Sequence, residues 1–124
     1  MNTDKKIIFT GGVFGFFGVA LGAFGAHGLK NLLTPELLEV FRTGVLYQLI
    51  HSVVILAIGL SGRKEFNVAA IFMSVGIILF SFSLYAYTLS GVKIIAMITP
   101  VGGVSFLVGW LLIIIKAVHN KTIS

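Results

Sequence analysis

Four long stretches without a charged residue constrain the fold of this chain more than any other feature. They cover residues 7–29, 43–62, 66–92 and 94–115, about three quarters of the sequence. A hydrocarbon core about 30 Å thick is crossed by roughly 20 apolar helical residues, so each stretch can span a membrane. The sequence therefore predicts an all-α integral membrane protein. Four transmembrane helices, at about residues 7–26, 45–61, 68–89 and 99–115, form one antiparallel bundle in a single domain, 1–124.

A short amphipathic helix is predicted at the membrane surface between the first two spans, at about residues 35–44. Thr34 is a suitable N-cap, Pro35 suits the first helical position, and Glu36 suits the positive end of the helix dipole. Apolar residues follow on one side of this segment and charged residues on the other, which is typical of an interfacial helix.

The charged residues indicate the partners and the orientation. The formal net charge is +5, but the basic residues are scattered at the predicted helix ends. This pattern favours anionic lipid head groups over nucleic acid, which is not an expected partner. The expected partners are membrane lipids, with a homo-oligomer or a partner membrane protein left open. Lysine and arginine mark the cytoplasmic side, and the side bearing the N-terminus has more of them. We therefore predict that both termini are cytoplasmic. That side carries Lys5, Lys6, Arg63, Lys64, Lys116 and Lys121, and the other side carries Lys30, Arg42 and Lys93.

Glycines in the first span recur at an average spacing of 3.5 residues, which keeps them in one stripe along a helix. Because glycine allows close helix approach in lipid, the stripe predicts a tight interface with another span or another subunit. Three glycines of the fourth span are predicted to have the same packing role. The predicted packing glycines are Gly11, Gly15, Gly18, Gly22, Gly25, Gly102, Gly103 and Gly109.

Polar residues gather at those ends of the four spans that lie on one side of the membrane. Gln48 and His51 are three residues apart and can share a helix face. An ionisable residue inside a span is a functional hypothesis by default, and histidine titrates near neutral pH. We therefore predict a shallow polar pocket in one leaflet. Its candidate binding residues are His27, Tyr47, Gln48, His51, Ser81, Ser83, Tyr85 and Thr99.

Each of these residues also has a purely structural explanation. His27 and Thr99 can cap helices, and the tyrosines can form an interfacial aromatic belt. Gln48 and His51 can order the bundle by hydrogen bonds between helices, and the serines can bond their own helix carbonyls.

The chemistry available for catalysis is sparse. The chain has no cysteine, which excludes disulfides and thiolate metal sites. A zinc site needs three or four ligands, and only two histidines are expected near each other. The spans contain no carboxylate for a Ser-His-acid triad. We predict no metal and no cofactor, and these residues favour a non-enzymatic role without deciding the question.

Several motifs resemble a bacterial family of small membrane proteins, domain of unknown function family 423, and are similar to the eukaryotic transmembrane protein 256 family. The resemblance covers nearly the whole chain and implies a four-span protein of the bacterial plasma (inner) membrane, with no assigned activity. The motifs are Gly22-Ala23-Phe24-Gly25-Ala26-His27-Gly28-Leu29, Tyr47-Gln48 with His51, Phe80-Ser81-Phe82-Ser83-Leu84-Tyr85, and Thr99-Pro100-Val101-Gly102-Gly103 with Phe106, Gly109 and Trp110.

Three functions remain open at this point. The first is a binding or accessory protein whose pocket holds a lipid head group, a small amphiphile or a partner helix. The second is a small oligomeric transporter or proton-coupled channel in which His51 carries the proton. It is less favoured because the opposite half of the spans has few polar groups. The third is a purely structural membrane protein.

Overall fold

A computed structural model describes residues 1–119. This part of the chain forms four long apolar helical segments and no strand. They are α1 (Thr3–Leu29), α2 (Pro35–Ser61), α3 (Lys64–Ser90) and α4 (Lys93–His119), each of 27 residues. A helix of this length is about 40 Å long and exceeds the hydrocarbon thickness. The predicted all-α fold with four membrane-spanning helices is confirmed. Each segment extends beyond its predicted bounds, because charged residues at the ends continue the helices.

Local signals in the sequence begin and end these helices. The Asn2 side chain accepts a hydrogen bond from the Lys5 amide at 2.8 Å, and the Thr34 hydroxyl accepts one from the Leu37 amide at 3.2 Å. Both are N-caps that satisfy a free amide of the first turn. Gly62 and Gly91 end α2 and α3 with φ of 68° and 73°. This left-handed conformation is accessible to glycine without strain, so the chain can reverse within two residues.

The predicted short helix at residues 35–44 does not exist as a separate element. Pro35–Ser61 is one uninterrupted α-helix, and Gly44 lies inside it. Leu38 and Phe41 are buried, and the Phe41 ring lies 5.0 Å from the Tyr85 ring on α3. The apolar side of this segment is therefore covered by protein, and it forms the first turns of α2.

Helices α2 and α3 form the middle of the bundle, while α1 and α4 lie on its outside. In the most apolar stretch of each helix, 44% of the residues are buried in α2 and in α3, against 11% in α1 and 17% in α4. Helix α1 packs mainly on α2, and α4 mainly on α3. The outer helices therefore have most of their surface outside the four-helix contacts.

Glycines bring the paired helices close together. A Cβ atom added at Gly18 would lie 2.7 Å from Leu49 Cδ2, and one at Gly22 would lie 2.9 Å from Val45 Cγ1. Residue numbers rise along α1 as those of its α2 neighbours fall, so the two helices are antiparallel. The other stripe glycines face α2 in the same way: Gly11 against Leu56 and Ser52, Gly15 against Ser52, and Gly25 against Phe41. The stripe thus packs within the chain.

Helices α3 and α4 approach each other by the same means. Gly102 lies against the backbone of Leu79 and Phe80, and a Cβ atom at Gly109 would lie 3.0 Å from Met73 Cε. Gly103 differs, since its nearest neighbour would be Phe80 Cδ2 at 3.9 Å. Gly103 thus borders open space, which is important for the site described next.

Candidate functional site

The polar residues form two separate arrangements instead of one pocket. The first, which we call the Gln48 network, lies between α1, α2 and α3 and contains Gln48, Ser81 and Tyr85. Gln48 Nε2 donates to the Phe14 carbonyl at 2.8 Å, and the Tyr85 hydroxyl donates to Gln48 Oε1 at 2.7 Å. The Ser81 hydroxyl donates to the Gly44 carbonyl at 2.7 Å.

The Gln48 network is closed to ligands. Gln48 and Ser81 are fully buried, and Tyr85 nearly so. Each of these side chains already has a hydrogen-bonding partner in the protein. Buried polar groups that are satisfied in this way hold helices together and fix their register. Ser81 ends a π-helical turn, Ile77–Ser81. Such widened turns occur often near functional sites, and here the turn belongs to a helix contact.

The second arrangement, which we call the aromatic groove, lies between α2 and α4. The His51 ring stacks on Phe106, with centroids 3.7 Å apart and planes 13° apart. Trp110 Nε1 donates to His51 Nε2 at 3.1 Å, and His51 Nδ1 lies 2.7 Å from the Tyr47 carbonyl oxygen. Tyr47 and Phe80 complete the aromatic wall, with ring centroids 4.5 Å apart.

These hydrogen bonds define the tautomer of His51. The Trp110 indole N–H can only donate, so His51 Nε2 must accept. The Tyr47 carbonyl can only accept, so His51 Nδ1 must carry the hydrogen. The ring is therefore neutral in this arrangement. If His51 Nε2 were also protonated, its N–H would point at the Trp110 indole N–H. Two donors cannot form a hydrogen bond, so the contact would break.

The aromatic groove has a volume of about 480 Å³. Most of its polar groups already have a hydrogen-bond partner, because His51 and Trp110 bond each other. Tyr47 is 38% exposed, and its hydroxyl has no hydrogen bond within residues 1–119. The remaining wall is apolar or small, and includes Ile50, Pro100, Gly103, Val104 and Leu107.

The other predicted site residues are distributed differently. The Ser83 and Thr99 hydroxyls lie 2.6 Å apart and join α3 to α4 where α4 begins. His27 is exposed, and its side chain has no hydrogen bond within the described residues. The structure therefore does not bring His27 together with Gln48 or His51. Within residues 1–119, no three histidine, cysteine, aspartate or glutamate side chains could hold a metal ion.

The predicted depth of the site also needs correction, because α2 begins at Pro35 and not near Val45. Gln48 is then the central residue of α2, and His51 lies about 24 Å along the helix from Pro35. Trp110 lies about 26 Å along α4 from Lys93, which is on the same side of the bundle as Pro35. His51 and Trp110 therefore meet at equal depth. Trp110 was not among the candidate binding residues predicted from the sequence, so sequence reasoning missed this pair; counting residues from the helix caps finds it.

Comparison with known proteins identifies the family. The family described as "Protein of unknown function (DUF423)" matches residues 21–103. The chain is 42% identical over 112 residues to a "UPF0382 membrane protein" of Haemophilus influenzae, covering 88% of this chain and 90% of that protein. This chain belongs to the DUF423 family. The family assignment made from the sequence motifs is thus confirmed.

Two further relatives of this DUF423 protein cover nearly its whole length. It is 40% identical over 119 residues to "UPF0382 membrane protein YwdK" of Bacillus subtilis, covering 92% of this chain and 97% of that protein. It is 37% identical over 123 residues to "UPF0382 inner membrane protein YgdD" of Escherichia coli K12, covering 96% and 94%. These names and the four apolar helices show a multi-pass membrane protein. No solved structure is similar to this DUF423 chain.

Proposed function

We propose that this chain is a binding protein of the membrane that holds a small amphiphile in the aromatic groove between α2 and α4. The observation that supports this proposal is an open, aromatic space of about 480 Å³ next to an exposed tyrosine hydroxyl without a protein partner. Ligand pockets typically combine apolar and aromatic walls with a few polar groups that orient the ligand.

The side chains that line the groove indicate what kind of ligand would fit it. The exposed ring of Tyr47 and the half-buried ring of Phe80 favour a flat or unsaturated apolar body. The Tyr47 hydroxyl favours a hydrogen-bond acceptor on that body, such as a carbonyl or ester oxygen. The expected ligand is therefore an amphiphile with one acceptor and no net charge, because no charged side chain lines the groove.

The bonding of His51 does not favour the proton-carrying alternative. Both ring nitrogens have partners that match the neutral tautomer. A proton carrier would have to release Trp110 in every cycle. The same bonds do suit a rigid groove wall, since the imidazole is held flat against Phe106.

The proposal is tested by the ligand that the protein retains. The protein is purified in a mild detergent, and native mass spectrometry records any bound small molecule, which is then extracted and identified. We expect one retained amphiphile in the wild-type protein and its loss in Gly103→Leu. A Cβ atom at Gly103 meets only Phe80 Cδ2 at 3.9 Å, so the leucine fills the groove without a backbone clash.

The matched control is Gly12→Leu, the same substitution on the outer face of α1, where an added Cβ meets no atom within 4 Å. This variant should retain the ligand. Tyr47→Phe should weaken retention about threefold, the effect of one hydrogen bond of about 0.6 kcal/mol in a membrane protein. The absence of any bound amphiphile, equal loss in both leucine variants, or a stably bound partner protein in its place would contradict the proposal.

We also propose that both termini lie in the cytoplasm. The support is the excess of lysine and arginine on the side of the N-terminus, six residues against three.

A further inference from the structure

A second opening, which we call the α1–α3 cleft, lies at the end of the bundle that bears the N-terminus. Its volume is about 300 Å³, and it shares no lining residue with the aromatic groove. The floor is apolar and formed mainly by branched side chains. Ile7, Ile55, Ile71, Val75 and Ile78 provide this floor.

Two hydroxyl groups inside the cleft already donate to backbone carbonyls and do not need a hydrogen bond from an occupant. Thr10 donates to the Lys6 carbonyl at 2.8 Å, and Ser74 donates to the Ala70 carbonyl at 2.9 Å. Both bonds are made within the residue's own helix, which leaves the deeper part of the cleft suited to a hydrocarbon chain.

The outer end of the cleft is polar and positively charged. Thr3, Lys6 and Asn67 line it. Within the described residues, Lys6 has no salt bridge, and Asp4, whose Oδ1 is also buried and unpaired, does not line the cleft. Asn67 Oδ1 is buried and has no hydrogen-bond donor within residues 1–119. Buried acceptors of this kind are rare in native proteins, so this atom calls for an external donor.

We propose that the α1–α3 cleft binds an anionic glycerophospholipid whose head group also carries a hydroxyl donor. The phosphate lies at Lys6, a head-group hydroxyl donates to Asn67, and one acyl chain occupies the isoleucine-rich floor. This combination of a cation, an unpaired acceptor and an apolar channel matches phosphatidylglycerol. Phosphatidylcholine lacks both the net negative charge and the donor.

The neighbouring residue Lys5 provides a matched control. Lys5 and Lys6 are both exposed and carry the same charge at the same membrane depth, but only Lys6 lines the cleft. General attraction to an anionic surface depends on both lysines equally. Binding in the cleft depends on Lys6 alone.

The test is a lipid competition. Purified protein is exchanged into detergent containing equal amounts of phosphatidylglycerol and phosphatidylcholine, and native mass spectrometry records the ratio of the two in the complex with one lipid. We expect a preference for phosphatidylglycerol that Lys6→Gln lowers about fivefold and that Lys5→Gln leaves unchanged. Ser74→Leu fills the acyl part of the cleft and should remove the bound lipid of either type.

Three outcomes would overturn the proposal. They are the absence of a phosphatidylglycerol preference, an equal effect of Lys5→Gln and Lys6→Gln, and full lipid retention in Ser74→Leu. Gly103→Leu should leave this preference unchanged, because it blocks only the aromatic groove. A failure of either proposal can thus be recognised separately from the other.

Discussion

The hydrogen bond between Gln48 and Tyr85 should couple these two residues energetically. Gln48→Leu removes two hydrogen bonds, one to the Phe14 carbonyl and one from the Tyr85 hydroxyl. In membrane proteins each such bond contributes about 0.6 kcal/mol on average. The substitution also leaves the buried Tyr85 hydroxyl unpaired, at a cost of about 1 kcal/mol. We therefore expect Gln48→Leu to lower the free energy of unfolding by about 2 kcal/mol.

The double variant provides the decisive measurement. Tyr85→Phe alone removes one bond, and it also leaves the buried Gln48 Oε1 without its donor, so it should cost about 2 kcal/mol. In Gln48→Leu/Tyr85→Phe neither partner of this bond is left unpaired, so the combined cost should be that of the two lost bonds, about 1 kcal/mol, and not the sum of about 4.

The assay is reversible unfolding in mixed micelles with increasing dodecyl sulfate. It is followed by the fluorescence of Trp110, the single tryptophan of the chain. Ser74→Ala serves as the control, because that hydroxyl bonds only a carbonyl of its own helix. Its stability should stay close to that of the wild type. Additive costs in the double variant would refute the coupling and with it the structural role of the Gln48 network.

Three further predictions follow from the packing, the groove and the charge distribution. Gly18→Leu should destabilise the protein by about 1–3 kcal/mol through overpacking against α2, whereas Gly12→Leu should be neutral; equal detergent stability of the two variants would contradict the α1–α2 interface. His51→Phe keeps a ring against Phe106 but removes the acceptor of the Trp110 N–H, so we expect a shifted Trp110 emission and a stability loss of about 0.6 kcal/mol. In a chain without native cysteine, Lys5→Cys should react with an impermeant maleimide only after the membrane is opened, and labelling of intact cells would reverse the proposed orientation.

The sequence predicts the helices well because the membrane allows few backbone structures. A backbone in hydrocarbon must satisfy its own hydrogen bonds, so a long uncharged stretch can only be a helix in a chain of this type. The helix ends are predicted less well, since the rule concerns only the hydrocarbon region. Glu36, Glu39 and Arg42 end the uncharged stretch, but they continue α2 outside it. The supposed surface helix was therefore the first part of a longer one.

The site was predicted only in part, for a geometrical reason. Gln48 and His51 are three residues apart, which places them about 60° apart around α2. Periodicity puts two such residues on one face, but α2 has neighbours on adjacent sides. Gln48 turns toward α1 and α3, whereas His51 turns toward α4. The sequence carries no direct signal for which neighbour lies where, and this arrangement decides whether two polar residues share a pocket.

In this bundle, polar groups that have hydrogen-bond partners differ in their role from those that have none. The first hold the helices together, and the second are candidates for binding a ligand. Gln48, Ser81 and Tyr85 bond one another or the backbone at the centre of three helices, where an unpaired group would be most costly. Among the groups without partners in residues 1–119, the Tyr47 hydroxyl belongs to the aromatic groove and Asn67 to the lining of the α1–α3 cleft, whereas Asp4 Oδ1 is unpaired at neither opening. A membrane protein gains no stability from exposing such groups to lipid, because hydrocarbon offers them no partner. The place of the Tyr47 hydroxyl and Asn67 at two separate openings therefore favours ligands that complete their hydrogen bonding, whereas the Gln48 network, which lines neither opening, holds the helices together.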